Sequence, residues 1–293
     1  MKNNYFKAMI AGAIAGVLCA IAAHGAYILA AIIKLPWGAA NLPGVLTISF
    51  LISHLSYEIM HYLVFGPIFG AIYALYYDST PGKGVFKGLV YGLILYLISN
   101  LYYGVLLVQR WGYETITDAI GAWWMGFFTL ATYGIVLGAL YKKPTRAIIK
   151  SDTRNGILPG ALAGVVGGIA AIIFMITGVI LKVWEPVPGI LSAMYLTTNH
   201  LFEIIVTCAF GAIFGILYSI YYNSTPGKGI LKGLVFGLIL YLISSVRIGV
   251  LLVGYGIYFN RGMVIFWIGF FTWIVYGLVL SLLYRETSKV IKE

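Results

Sequence analysis

Seven ionisable side chains stand inside long apolar runs of this sequence: His24, His54, Glu58, His61, His200, Glu203 and Arg247. Such groups are costly to desolvate, so each is a candidate for chemistry. His54, Glu58 and His61 fall at i, i+4 and i+7, on one face of a helix. His200 and Glu203 repeat part of this pattern at i and i+3. Glu58, Glu203 and Arg247, with Asn100 and Tyr102, could line a path for a small solute, an ion or a proton. Glu58-x-x-His61 also has the spacing of carboxylate metal sites in helical bundles. The four histidines His24, His54, His61 and His200 could hold a metal ion or a haem. A di-iron site needs four carboxylates, and only Glu58 and Glu203 lie in these runs. The blandest alternative is a salt bridge, or groups that simply hydrate at the membrane interface. In each case Arg247 is expected to pair with Glu203, Glu58 or both, because an unpaired buried charge is expensive.

The elements that carry these residues are membrane helices. The chain has 293 residues, 61% hydrophobic and only 10% charged, with a mean hydropathy of +0.95. Soluble domains carry about 25% charged residues, so a water-soluble enzyme and a disordered chain are both excluded. Hydropathy places spans near 8–33, 52–77, 85–108, 119–141, 157–181, 198–222, 230–253 and 263–284. Each is long enough for a helix to cross about 30 Å of hydrocarbon. The apolar stretches 44–51 and 189–197 either extend the second helix of each half or lie in the interface. The first span follows Lys2 and Lys7 but is too long for a signal peptide, so it is read as a retained helix.

The sequence is internally duplicated. Tyr73–Ser99 and Tyr218–Ser244 agree at about 21 of 27 positions, at an offset of 145. Glu58 then corresponds to Glu203, and Tyr102 to Arg247. The expected fold is therefore an all-α polytopic membrane protein with eight transmembrane helices. Residues 1–148 and 149–293 form two parallel four-helix repeats related by a pseudo-twofold axis along the membrane normal. One side of the spans carries 14 of the 19 Lys and Arg residues, which puts both termini in the cytoplasm and the protein in the cell membrane. At about 1.5 Å per residue, the seven ionisable groups then lie roughly 24–34 Å from the cytoplasmic ends of their helices, in the outer third of the membrane or at its rim.

Other motifs read more plainly. Glycines recur every fourth residue, as at Gly12 and Gly16, Gly84, Gly88 and Gly92, and Gly160, Gly164 and Gly168. Such rows let helix backbones approach closely in lipid. Ser-Thr-Pro-Gly-Lys-Gly, at 79–84 and 224–229, lacks phosphate-loop spacing and reads as a tight turn. Lys83, Lys87, Lys228 and Lys232 beside it could meet anionic lipid headgroups. Cys19 and Cys208 read as buried packing, and Trp123, Trp124 and Trp267 as an outer aromatic belt. Ser99 and Ser244 are expected to bond their own helix backbones, and no nucleophile–base pair stands out.

Two classes of function remain. One is transport of a small solute or ion through an outward-facing polar site between the repeats. The other is a haem- or metal-binding membrane subunit of a redox complex, or a structural subunit of an assembly. The expected partners are the lipid bilayer, a small solute or ion, and further copies of the chain or a larger membrane complex. The basic charge is explained by membrane orientation and calls for no nucleic acid.

Overall fold

A computed structural model describes residues 2–33, 48–102, 105, 114–143, 156–180, 200–254 and 259–284. Among the described residues nine α-helical segments are formed: α1 (Lys2–Ile32), α2 (Ile48–Tyr76), α3 (Gly84–Tyr96), α4 (Glu114–Leu140), α5 (Ile157–Ile180), α6 (His200–Tyr221), α7 (Ile230–Tyr241), α8 (Arg247–Gly254) and α9 (Phe259–Leu283). Among the described residues there is no strand. Eight helices among them are long and apolar enough to cross a membrane. The chain is a multi-pass membrane protein, and side chains such as Phe6, Ile52, Phe86 and Leu158 turn outward, where lipid would meet them.

The helix ends sharpen the hydropathy reading. Residues from Ile48 onward extend α2, while 189–197 lie outside the described residues. Two spans are not plain α-helices. The helix begun by α3 passes into a π-helical turn at Leu97–Leu101. The helix begun by α7 passes into another at Leu242–Val246 and resumes as α8. Such single wide turns inside α-helices occur frequently at functional sites.

Two compact units are present. The first contains Met1–Pro144 and also Arg247–Tyr258; the second contains Thr145–Val246 and Phe259–Glu293. In the first unit α1 packs on α2 and on α4, and α3 packs on α4. Glycine permits the α1–α2 and α3–α4 approaches. A Cβ on Gly12 would collide with the Gly66 carbonyl, and one on Gly88 with the Gly134 carbonyl and with the Gly138 backbone. Phenols tie α3 and α4 to α2 by donating to its carbonyls: Tyr91 to Phe69 (2.7 Å) and Tyr133 to Gly66 (2.7 Å). A carbonyl already in a helical bond keeps a second lone pair, so these bonds add to the helix rather than compete with it.

Within the second unit α5 packs on α6 and α9, and α7 packs on α9. The close approaches are again backbone to backbone, Gly164 against Gly211 and Gly233 against Gly277. Tyr276 donates to the Gly211 carbonyl at 2.8 Å. Trp273 donates its indole N–H to Ser245 Oγ at 3.2 Å.

The Pro-Gly-Lys-Gly turns follow from backbone chemistry. Gly82 and Gly84 have φ of 96° and 50°, and Gly227 and Gly229 have 99° and 51°, a region that side chains disfavour. Lys87 Nζ donates to the Tyr77 carbonyl (2.7 Å) and sits 4.3 Å over the Tyr77 ring; Lys232 does the same with Tyr222, at 2.7 and 3.8 Å. Lys143 closes the first turn with a 2.6 Å ion pair to Asp78.

Candidate functional site

The candidate site lies in the first unit and is centred on Arg247, the first residue of α8. Its side chain is 2% exposed. Nη1 donates to Ser99 Oγ at 3.1 Å and to Asn100 Oδ1 at 2.8 Å, and Nη2 donates to the Tyr62 hydroxyl at 2.7 Å. The guanidinium carbon also lies 5.6 Å from the Tyr62 ring centroid, within cation–π range. All three hydrogen-bond partners are neutral. Among the described residues hydroxyl and amide oxygens solvate Arg247; of the two carboxylates expected to pair with it, the Glu203 side chain lies outside the described residues. A hydrogen bond to a charged group contributes about 1.5–3 kcal/mol, so three together offset much of the desolvation of a buried charge.

Each partner is positioned by a local feature. Ser99 and Asn100 are neighbours on the π-helical turn, and both are buried. Ser99 bonds its own backbone, donating to the Leu95 carbonyl at 2.7 Å, and its oxygen is 3.0 Å from Asn100 Oδ1. Ser244 likewise donates to Leu240. Gly126 on α4 makes room for the amide, since a Cβ there would clash with the Asn100 side chain. Tyr62 on α2 stands against Gly16 of α1, whose missing Cβ admits the Tyr62 backbone. Tyr57 ties α8 to α2 by donating to the Val250 carbonyl at 2.8 Å.

Two further polar residues are buried on the same helix as Tyr62. Glu58 is 6% exposed and His61 is 4% exposed. Glu58 and Arg247 both lie within electrostatic range of the Cys19 thiol and of the Tyr62 hydroxyl. Cys19 is buried and donates to the Gly16 carbonyl at 3.1 Å, as a packing cysteine should. The His61 ring is 4.7 Å from Phe65 and 5.0 Å, edge-on, from Tyr62. Among the described residues neither His61 nitrogen has a hydrogen-bond partner, and Arg247 Nε has none.

The remaining sequence candidates divide. Tyr102 follows the π-helical turn and is half-buried, as is His24 on α1. His54 lies on α2, and His200 and Glu203 on α6, but their side chains lie outside the described residues. Among the described residues, no group of three or more His, Cys, Asp and Glu side chains could hold a metal ion. Lys87 and Lys232 direct their ammonium groups into their own turns, whereas Lys83 and Lys228 are exposed. The indole of Trp124 donates inward to the Ala26 carbonyl at 3.0 Å, while Trp267 is exposed as a belt residue would be.

Sequence reasoning missed Tyr62. A signal was available: it sits four residues after Glu58, on the same helix face, and its counterpart in the duplication is Thr207, also a hydroxyl. The chain matches no protein-family model, no curated protein and no solved structure.

Proposed function

We propose that this protein transports a small solute or ion across the cell membrane, and that the Arg247 cluster of the first unit is where the solute binds. One observation carries the reading. Arg247 is a guanidinium in an apolar helical unit, and neutral side chains hold it. Burying an ion costs several kcal/mol even after relaxation, and a methionine of similar reach would pack the same space without that cost. A charge kept there serves binding better than it serves stability. Buried polar groups inside membrane proteins mark solute and ion paths for this reason.

The finer architecture belongs to the same proposal. Sequence duplication with an even number of spans per half gives both halves one orientation in the membrane, with a pseudo-twofold axis along its normal. The excess of Lys and Arg on one side puts both termini in the cytoplasm. Arg247 stands where the first half has Tyr102, so the duplication carries one such cationic centre and not two.

Osmotic shrink–swell measurements on proteoliposomes test the reading. Light scattering would follow re-swelling after mixing with potassium acetate, potassium phosphate, potassium chloride, glycerol or urea. Wild-type protein is expected to accelerate re-swelling with at least one solute, and Arg247→Gln to abolish the gain. Glu58→Gln combined with Glu203→Gln is expected to alter the rate. Identical traces for wild type and empty liposomes across the panel would remove the proposal.

A further inference from the structure

Donor arithmetic at Arg247 narrows the chemistry of the ligand. A guanidinium carries five N–H donors and no acceptor. Nη1 spends both of its hydrogens on Ser99 and Asn100, and Nη2 spends one on Tyr62. Two donors are left over, the second hydrogen of Nη2 and Nε–H, and Nε has no partner. Tyr62 uses its oxygen as an acceptor from Arg247, so its own O–H hydrogen can be donated elsewhere. His61 stands beside Tyr62 with both ring nitrogens unpartnered, and a neutral imidazole always carries one N–H. The cluster thus holds four unused donors around a fixed positive charge.

We infer that these donors form a binding site for one small anion bearing oxygen atoms, either a carboxylate or an inorganic oxyanion. The inference rests on the transport reading and names its substrate class. Cations are disfavoured because four of the unused groups donate, with one acceptor nitrogen of His61 beside them, and Arg247 repels cations. A neutral solute would leave the two remaining guanidinium N–H donors without a charge-assisted partner. Two adjacent N–H groups of a guanidinium match the two oxygens of a carboxylate or the edge of a tetrahedral oxyanion. Glu58 does not fill this role, since Nε is unpartnered although the Glu58 carboxylate is buried nearby. Arg247, Asn100, Ser99, Tyr62 and His61 are all buried, so the arrangement corresponds to an occluded site that must open to load.

The test is equilibrium dialysis of the full chain in detergent against radiolabelled acetate and, separately, phosphate. Saturable binding of either is expected. Acetate alone would assign carboxylate substrates, phosphate alone inorganic oxyanions, and both would fit a site that reads only the shared oxygens. Arg247→Gln should weaken binding by about thirtyfold or more, as truncating a buried charged partner does. Arg247→Lys keeps the charge but loses the fork, and should weaken it by about tenfold. Tyr62→Phe removes only an oxygen and covers the case in which the arginine variants do not fold; about tenfold weakening is expected. Absence of saturable binding of both probes, or unchanged affinity in Tyr62→Phe and Arg247→Lys, would overturn the inference. Binding without any liposome flux would retire the transport reading and leave the anion site standing. Flux of glycerol or urea alone would do the reverse.

Discussion

The bond between Tyr62 and Arg247 can be weighed by itself. Tyr62→Phe deletes one oxygen and leaves the ring, its edge contact with His61 and the close approach of Gly16 in place. What disappears is the 2.7 Å acceptor of a buried guanidinium. Losing one hydrogen bond to a charged group should cost about 1.5–3 kcal/mol. In an Arg247→Met background the same substitution should cost nothing, and it should gain somewhat, because it removes a buried hydroxyl that has lost its donor. The coupling energy of the double-mutant cycle is therefore expected at about 2 kcal/mol or above. Neutral interhelical hydrogen bonds in membranes average only about 0.6 kcal/mol by the same method, so the charge must show as an excess over that value. Reversible unfolding in mixed detergent–SDS micelles, read by circular dichroism, gives the four stabilities. A coupling at or below about 0.6 kcal/mol would refute the claim that neutral side chains solvate this charge.

Two further outcomes follow from the helix contacts and the membrane-edge tyrosines. Gly88→Val drives a side chain into the Gly134 carbonyl and should cost about 3 kcal/mol or more, whereas Gly25→Val should be near neutral because nothing lies within 4 Å of the added Cβ; thermal denaturation of both variants checks the contrast. Tyr141, just past the end of α4, has its phenol pKa raised to about 12 by burial, then by Tyr77, Asp78 and Tyr5. A raised acid pKa means the folded state keeps a proton that the unfolded state releases. Its contribution is intact below the ordinary tyrosine value of 10.0 and is lost as pH climbs toward about 12. Stability measured across that window should fall, and Tyr141→Phe should flatten the slope.

The bundle was legible from residue types because lipid imposes few solutions. Runs of apolar residues of spanning length must be helices, and glycine every fourth residue must lie where helices meet. Gly12, Gly88, Gly164 and Gly233 all do so. The π-helical turns were not legible, since nothing in Leu-Ile-Ser-Asn-Leu distinguishes a wide turn from an α-helical one. The site was legible by depth and not by partner. Shared depth brought Glu58, His61, Asn100 and Arg247 onto one level, and the first unit buries all four. The expected carboxylate for Arg247 came from charge alone. It did not include hydroxyl and amide oxygens, which a wide turn and a neighbouring tyrosine supply to the guanidinium among the described residues. Tyr62 escaped because a tyrosine in an apolar run reads as packing until its hydroxyl has somewhere to point.

The location of Arg247 in the chain has a mechanical consequence. Ser99 and Asn100 sit on the π-helical turn of one span, and Arg247 directly follows the π-helical turn of another. A π-helical turn holds an extra residue, and moving that residue along the helix by one turn re-aims every side chain it passes. A shift at Leu97–Leu101 would swing Ser99 and Asn100 away from the guanidinium. A shift at Leu242–Val246 would rotate Arg247 itself. Either change trades the neutral partners of Arg247 for others while leaving the glycine contacts of the surrounding helices intact, because Gly88 and Gly92 lie below the first turn and Gly233 and Gly237 below the second. The feature that assembles the cluster is thus also the place where a change of helix register would reach Arg247 and its partners first.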